Sequence, residues 1–148
     1  MDMNHILIVE DDKDIREAVA IYLKSQGYEV FQAGDGIEGL EMLEREEIHL
    51  AIVDIMMPRM DGITMTMKLR EKHDFPVIML SAKSEEVDKV MGLNIGADDY
   101  VTKPFTPMEL MARVNSQMRR YKRFMEKLQQ KEQENTDTIY TTVSYTHL

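Results

Sequence analysis

The sequence predicts an α/β fold in which a doubly wound parallel sheet lies between two layers of helices. Short apolar runs recur along the chain, and the stretches between them carry apolar residues at three- and four-residue spacing. Strands that alternate with helices run parallel, with right-handed crossovers. At 148 residues, the chain has the length of one ordinary domain.

Five strands are predicted from the apolar runs, at residues 6–9, 30–31, 50–53, 77–80 and 100–101. The third and fourth runs are entirely apolar, which indicates strands covered on both faces. We therefore expect these two strands at the centre of the sheet.

Five helices are predicted between and after these strands. The first has its apolar positions between residues 15 and 23 and ends at Gly27. The second follows Asp35-Gly36, and the third follows Asp61-Gly62. The fourth contains Val87, Val90 and Met91 and ends near Gly96, and the fifth begins at Pro107.

Composition and charge exclude several classes of protein. Hydrophobic residues make up 43% of the chain and charged residues 30%, as in globular proteins with a packed core. Without cysteine, the chain has no disulfide scaffold, thiol nucleophile or Cys-based zinc site. No apolar run approaches the roughly 18 residues of a membrane span, and the start is no secretory signal, so we expect a cytoplasmic protein with no membrane partner.

The net charge of -9 argues against direct binding of nucleic acid by this chain. The charge is uneven, because residues 119–148 contain six basic and four acidic side chains. Residues 1–118 then carry a net charge of -11, and this change in composition places a boundary near residue 120.

Polar side chains follow four of the five predicted strands: Glu10 and Asp11, then Asp54, Ser81 and Lys103. The carboxyl ends of parallel strands meet at one edge of a sheet, where such folds bind ligands. Clustered carboxylates repel one another unless a cation holds them, and an all-oxygen set suits Mg²⁺. The sequence therefore predicts a magnesium site at this edge.

Each feature alone has a simpler explanation. An acidic run after a strand is often a solvated loop or a helix cap, and Asp12 or Asp14 could cap the first helix. A single strand-end aspartate, or a single Lys-Pro pair, is equally uninformative. The convergence of four strands is what favours a functional site.

At this point the sequence resembles the receiver domain of bacterial two-component response regulators. The resemblance covers residue 4 to about residue 120 and rests on four segments, at residues 8–12, 53–62, 80–82 and 96–105. It implies a flavodoxin-like three-layer sandwich with strand order 2-1-3-4-5 and five helices. Within the family, the sequence most resembles the branch whose members carry winged-helix output domains, and within that branch the glycopeptide-resistance regulators.

The resemblance also implies a role for each strand-end residue. Asp54 would accept a phosphoryl group from the histidine of a sensor kinase. Asp11, Asp54 and the backbone carbonyl of Met56 would hold Mg²⁺ directly, and Glu10 would act through a water. Three further residues would bind the phosphoryl group or switch with it: Ser81, Lys103 and Tyr100.

A charged face on the fourth helix, the fifth strand and the fifth helix is predicted to form a phosphorylation-dependent homodimer, as matching residues do in winged-helix relatives. The alternative is an ordinary solvated surface. The residues of this face are Lys89, Asp98, Asp99, Glu109, Arg113 and Arg120.

The chain divides into a receiver domain at residues 1–120, a helical extension and linker at 121–142, and a tail at 143–148. The tail resembles translated adapter sequence from library preparation, so we expect it to be non-native. We therefore expect a fragment of a longer transcription factor that contacts DNA only through a missing C-terminal winged-helix domain.

Other functions are open. The chain could be a stand-alone receiver that relays phosphate or binds a partner directly. A haloacid-dehalogenase-like phosphatase also uses an aspartyl phosphate, but needs an aspartate where Met56 stands. A flavodoxin-like redox protein is disfavoured because the acidic residues after the first strand would repel a flavin phosphate. We expect no enzyme activity beyond Mg²⁺-dependent self-phosphorylation and slow autodephosphorylation.

Overall fold

A computed structural model describes residues 3–82 and 96–146 of the chain. The elements are β1 (His5–Val9), α1 (Lys13–Ser25), β2 (Glu29–Ala33), α2 (Gly36–Arg45), β3 (Leu50–Asp54), α3 (Gly62–Arg70), β4 (Val77–Ala82), β5 (Asp99–Lys103) and α4 (Pro107–Thr146). The predicted fourth helix, with Val87, Val90 and Met91, lies outside the described residues, as does Lys89. The described part therefore contains four of the five predicted helices.

The five strands form one parallel sheet in the order β2-β1-β3-β4-β5, as predicted. In register, Ile8 lies beside Ile52 of β3, and Ile52 lies beside Ile78 of β4. Every residue of β3 is buried, and so are the first five residues of β4. The two strands predicted to be central are thus β3, in the middle of the sheet, and its neighbour β4.

Helices cover both faces of the sheet. Side chains of α1 and of the first three turns of α4 share one buried cluster with alternate strand residues, including Ile8, Ile52 and Leu80. On the other face α2 approaches closely, because a Cβ at Gly39 would meet Val9 of β1 and Met65 of α3. This arrangement is the predicted three-layer sandwich.

Three helices begin at an aspartate near the carboxyl edge of the sheet. Asp12, Asp35 and Asp61 precede α1, α2 and α3, and each accepts a hydrogen bond from a backbone N–H in the first helical turn. Of the acidic residues predicted at this edge, Asp12 therefore acts as a helix cap.

Helix α4 is longer than the sequence pattern predicts. The sequence predicts a helical extension and linker over residues 121–142, whereas the helix runs without a break to Thr146. The six residues directly after Leu128, at positions 129–134, are all Gln, Glu or Lys, which have high helix propensity. The chain divides into two compact units, Met1–Met118 and Arg119–Leu148. Within the described residues, no helix is long and apolar enough to cross a bilayer.

Candidate functional site

A cavity of about 270 Å³ opens at the carboxyl edge of the sheet, between the ends of β1, β3 and β5. The predicted strand-end residues Glu10, Asp11, Asp54 and Lys103 all line it. The other lining residues are Asp12, Ile15, Met56 and Ala82. The topology therefore brings together the acidic residues and the lysine, as the sequence predicted.

Lys103 joins the two buried carboxyl groups of the site. Its Nζ lies 2.9 Å from Oε1 of Glu10 and 3.3 Å from Oδ2 of Asp54. Glu10 is fully buried and Asp54 is 4% exposed, whereas Asp11 is exposed. Because burial reduces screening by water, Lys103 attracts these two carboxyl groups more strongly than it would at the surface, while burial itself costs the carboxylates their hydration.

The site carries more potential negative charge than Lys103 balances. Burial raises the pKa of Glu10 to about 8, the nearby Asp54 carboxyl adds to the rise, and Lys103 opposes it. Burial would lower the pKa of Lys103, but the carboxyls of Glu10 and Asp54 outweigh that effect and raise it. The cluster therefore favours a further positive charge, either a proton or a cation.

The same residues fit a divalent metal ion. Glu10, Asp11 and Asp54 each offer a carboxylate oxygen, and these atoms lie within 4.8 Å of one another. Oε2 of Glu10 is buried and has no hydrogen-bond partner among the described residues. A buried carboxylate oxygen is normally satisfied, and an all-oxygen donor set with solvent access suits Mg²⁺.

The loop after Asp54 is held by a close backbone approach. The N–H of Gly62 donates to the carbonyl of Ile55 at 2.8 Å and closes the loop at its base. A Cβ at Gly62 would collide with the backbone carbonyl of Asp54, so a glycine is required there. The motif Asp61-Gly62 thus caps α3 and fixes Asp54 at the same time.

The model for the response regulator receiver domain matches residues 6–115. The chain belongs to this family. This receiver domain is 54% identical over 119 residues to regulatory protein VanR of Enterococcus faecium, and 46% identical to regulatory protein VanRc of Enterococcus gallinarum. Each alignment covers 80% of this chain and 52% of the relative, so the chain spans about half the length of these curated proteins.

Solved receiver structures share the fold. The receiver domain of the Francisella response regulator 1452 is 36% identical, with a TM-score of 0.74 over 79% of this chain and 98% of that chain. A CheY-like receiver domain protein from Methanospirillum hungatei is 32% identical, with a TM-score of 0.78 over 82% of this chain and 98% of that chain.

The receiver domain keeps the two predicted switch residues on neighbouring strands. Ser81 is fully buried in β4, and its hydroxyl has no hydrogen-bond partner in the described chain. Tyr100 is half-buried in β5, beside Met79 of β4. Ser81 does not line the acidic cavity, whereas the next residue, Ala82, does. The hydroxyl group of Ser81 thus lies one residue away from the cavity and has no acceptor among the described residues.

The charged face predicted to dimerise is already paired within the receiver domain. Arg113 lies 2.6 Å from Asp99 and 3.8 Å from Glu109. Asp98 lies 2.7 Å from Arg70 and also accepts the N–H of Val77. Arg120 is exposed and belongs to the second compact unit. Pairing between copies would therefore have to exchange existing partners.

Two arginines near the site, Arg16 and Arg59, make contacts that the sequence pattern does not predict. Arg16 donates to the backbone carbonyl of Glu10 at 2.8 Å. Arg59 pairs with the buried Asp35, its Nε lying 2.7 Å from Oδ2. The pairing of Arg59 with Asp35 has no local sequence signature, because 24 residues separate the two and only the folded sheet brings their segments together.

Proposed function

We propose that this receiver domain accepts a phosphoryl group on Asp54 from the histidine of a sensor kinase. The observation that carries the proposal is the buried Asp54 carboxylate, with Lys103 at 3.3 Å and the metal-competent carboxylates of Glu10 and Asp11 beside it. Phosphoryl transfer needs a positioned nucleophile and positive charge around the transferred oxygens, and this site supplies the residues for both.

In the proposed reaction, a carboxylate oxygen of Asp54 attacks phosphorus while the bond from phosphorus to the donor histidine nitrogen breaks. The product is an acyl phosphate on Asp54, and the histidine leaves without its phosphoryl group. Lys103, which already contacts Asp54, would pair with a phosphoryl oxygen. Hydrolysis by water returns the Asp54 carboxylate and inorganic phosphate, so the chain acts as an acceptor with slow self-dephosphorylation rather than as an enzyme in the strict sense.

Asp11, Asp54 and the backbone carbonyl of Met56 would hold Mg²⁺, with Glu10 acting through a water. When bound, Mg²⁺ neutralises negative charge on the phosphoryl oxygens and on the carboxylates. Arg16 orients the segment that enters the site by holding the carbonyl of Glu10. Ile15 adds an apolar side chain to the wall of the cavity.

A wider apolar cavity of about 470 Å³ lies next to the site and offers a docking surface for the kinase. It shares Ile15 and Lys103 with the acidic cavity, so a helix seated there would bring its histidine towards Asp54. Tyr22 lines this cavity and is 44% exposed. Replacing Tyr22 by alanine should slow phosphorylation by a kinase but not by acetyl phosphate. Equal slowing with both donors would contradict docking at this surface.

Phosphorylation would change the output through Ser81 and Tyr100. A new phosphoryl group offers an acceptor to the buried hydroxyl of Ser81, which has no hydrogen-bond partner among the described residues. Movement of Ser81 towards the phosphoryl group would open space for Tyr100 to turn inwards. This change would raise the fraction of molecules whose dimer face is in the conformation that pairs. The dimer would exchange the pairs of Arg113 with Asp99 and Glu109 between copies. An Arg113→Glu chain that dimerises normally after phosphorylation would refute this face.

The longer curated relatives support an output domain beyond a receiver at residues 1–120, joined by the helical segment 121–142. We propose that the protein belongs to the winged-helix branch, in the manner of the glycopeptide-resistance regulators, and controls transcription. A stand-alone receiver is the alternative. Phosphorylation that leaves the oligomeric state unchanged would favour that alternative.

The acceptor assignment is tested by intact mass after incubation with acetyl phosphate and Mg²⁺. The wild-type chain should gain one phosphoryl group, and Asp54→Asn should gain none. Asp61→Asn is a matched control, because Asp61 is an exposed cap in the same loop and asparagine caps equally well. A phosphoryl group on Asp54→Asn, or none on the wild type even with a kinase as donor, would overturn the proposal.

A further inference from the structure

Arg59 lies in the loop between Asp54 and α3 with φ at 65°, in the left-handed region. Among the described residues it is the one non-glycine residue with positive φ. This conformation is unfavourable for an L-residue with a long side chain, and such residues persist in it when their surroundings hold them. The contacts of Arg59 therefore identify what fixes this loop.

Asp35 holds Arg59 from the start of α2. The Oδ2 atom of Asp35 accepts from Nε of Arg59 at 2.7 Å, while Oδ1 caps α2 by accepting from the N–H of Glu38 at 2.9 Å. Asp35 is 8% exposed, and both of its oxygens are thus used. Next to it, a Cβ at Gly36 would lie 3.0 Å from the carbonyl of Met60, so the loop also packs directly on the first turn of α2.

The loop so anchored leads directly into the site. It leaves β3 at Asp54, passes through Met56 and Arg59, and returns at Gly62, whose N–H closes it on Ile55. Met56 lines the acidic cavity. With the base of the loop closed and Arg59 tied to α2, the backbone of Met56 has little freedom to turn away from Asp54.

We infer that the ion pair between Asp35 and Arg59 positions the loop so that the Met56 backbone carbonyl faces the cation site beside Asp54. Neither residue lines the cavity, so both are positioning residues that act through the loop. The inference rests on the proposed function, since it concerns the affinity of the same site for Mg²⁺. The alternative is that the ion pair only stabilises the fold and has no effect on the affinity of the site for Mg²⁺.

Two single variants separate these possibilities. Arg59→Gly removes the guanidinium but accepts the left-handed backbone without strain. Asp35→Asn keeps an oxygen to cap α2 and removes the charge that Arg59 pairs with. Binding of Mg²⁺ is measured by titrating the whole chain with magnesium chloride and following its backbone amide signals by NMR. The midpoint of urea unfolding is measured in parallel, in the presence of EDTA so that no metal is bound.

Each single variant should raise the Mg²⁺ dissociation constant about 10-fold, as is typical when a partner of a metal ligand is lost. The double variant should also bind Mg²⁺ about 10-fold more weakly than the wild type, and not about 100-fold, because both changes release the same loop. Asp61→Asn is the control, since Asp61 caps α3 from the same loop without contacting Asp35 or Arg59. Its dissociation constant should equal that of the wild type.

Unchanged Mg²⁺ affinity in Arg59→Gly and Asp35→Asn would overturn the inference, as would a loss that simply follows the urea midpoint across the variants. A lack of Mg²⁺ binding by the wild-type chain would instead refute the proposed metal site itself, and the positioning role with it. The wild-type titration thus tests the function, and the ratio of variant to wild type tests the role of the pair.

Discussion

Replacing Arg70 by alanine should destabilise the receiver domain by about 3 kcal/mol. Arg70 ends α3, and its guanidinium is 20% exposed in the ion pair with Asp98. It donates to the carbonyl of Gly96 at 2.7 and 2.9 Å, to that of Phe75 at 2.6 Å and to that of His73 at 3.3 Å. One side chain thereby ties the end of α3 to the segments that lead into β4 and β5.

The magnitude follows from the acceptors that alanine would leave behind. Two backbone carbonyls with short bonds lose a charged donor, and Asp98 loses its partner at 2.7 Å but keeps the N–H of Val77. Each such loss costs about 1 kcal/mol after water has partly replaced the donor. For a chain of this size, a total of about 3 kcal/mol lowers the melting temperature by roughly 10 °C.

Urea unfolding followed by circular dichroism measures this loss directly. Arg70→Lys should fall between the wild type and Arg70→Ala, because an ammonium keeps the charge but cannot span the same acceptors. Lys68→Ala is the control, since Lys68 is an exposed cation on the same helix and should change stability by less than about 0.5 kcal/mol. A stability of Arg70→Ala within 1 kcal/mol of the wild type would refute this reasoning.

Three more predictions concern the other junctions of the fold. Hydrogen bonding from the first turn of α2, and then Arg59, lower the pKa of Asp35. The charged Asp35 therefore stabilises the fold at pH values above its unfolded pKa of about 4, by about 0.5–1 kcal/mol relative to Asp35→Asn. This advantage should vanish as the pH falls through the lowered pKa of the folded state. A difference in urea midpoint between the two chains that is equal at pH 7 and pH 3 would contradict this prediction. Gly62→Ala should cost about 2 kcal/mol and slow phosphorylation by acetyl phosphate, because the new methyl group meets the backbone of Asp54; full activity at unchanged stability would show that the loop can yield. Ser81→Ala should stabilise the unphosphorylated chain by about 1 kcal/mol, because it removes a buried hydroxyl that has no partner in the described part of the chain, and any phosphorylation-dependent change in elution volume should be lost; a destabilised variant would indicate a partner for that hydroxyl.

The central strands were predictable from the sequence because burial on both faces produces an unbroken apolar run. The predicted run 50–53 became Leu50–Asp54, whose residues are all buried. The edge strands were predicted at the right places, but the predicted strands are shorter than the observed ones. The run 30–31 became Glu29–Ala33, and 100–101 became Asp99–Lys103, since partly exposed strands carry polar residues that break the run.

The acidic residues and the lysine of the site were predictable for a different reason. Parallel topology fixes where strand ends meet, so Glu10, Asp54 and Lys103 needed only their positions along the chain. The pairing of Arg59 with Asp35 and the raised pKa of Glu10 were not predictable. Both depend on packing between separate loops, for which a local pattern contains no information.

The contact between Lys103 and Glu10 spans 93 residues of sequence. During synthesis at roughly 5–20 residues per second, the first carboxyl of the site waits several seconds for its lysine. No fragment that stops before β5 can carry the complete set of charges, however well its first strands have paired. The proposed phosphorylation of Asp54 therefore requires a chain in which β5 has already joined the sheet, so an incompletely synthesised chain would lack the lysine that the reaction needs.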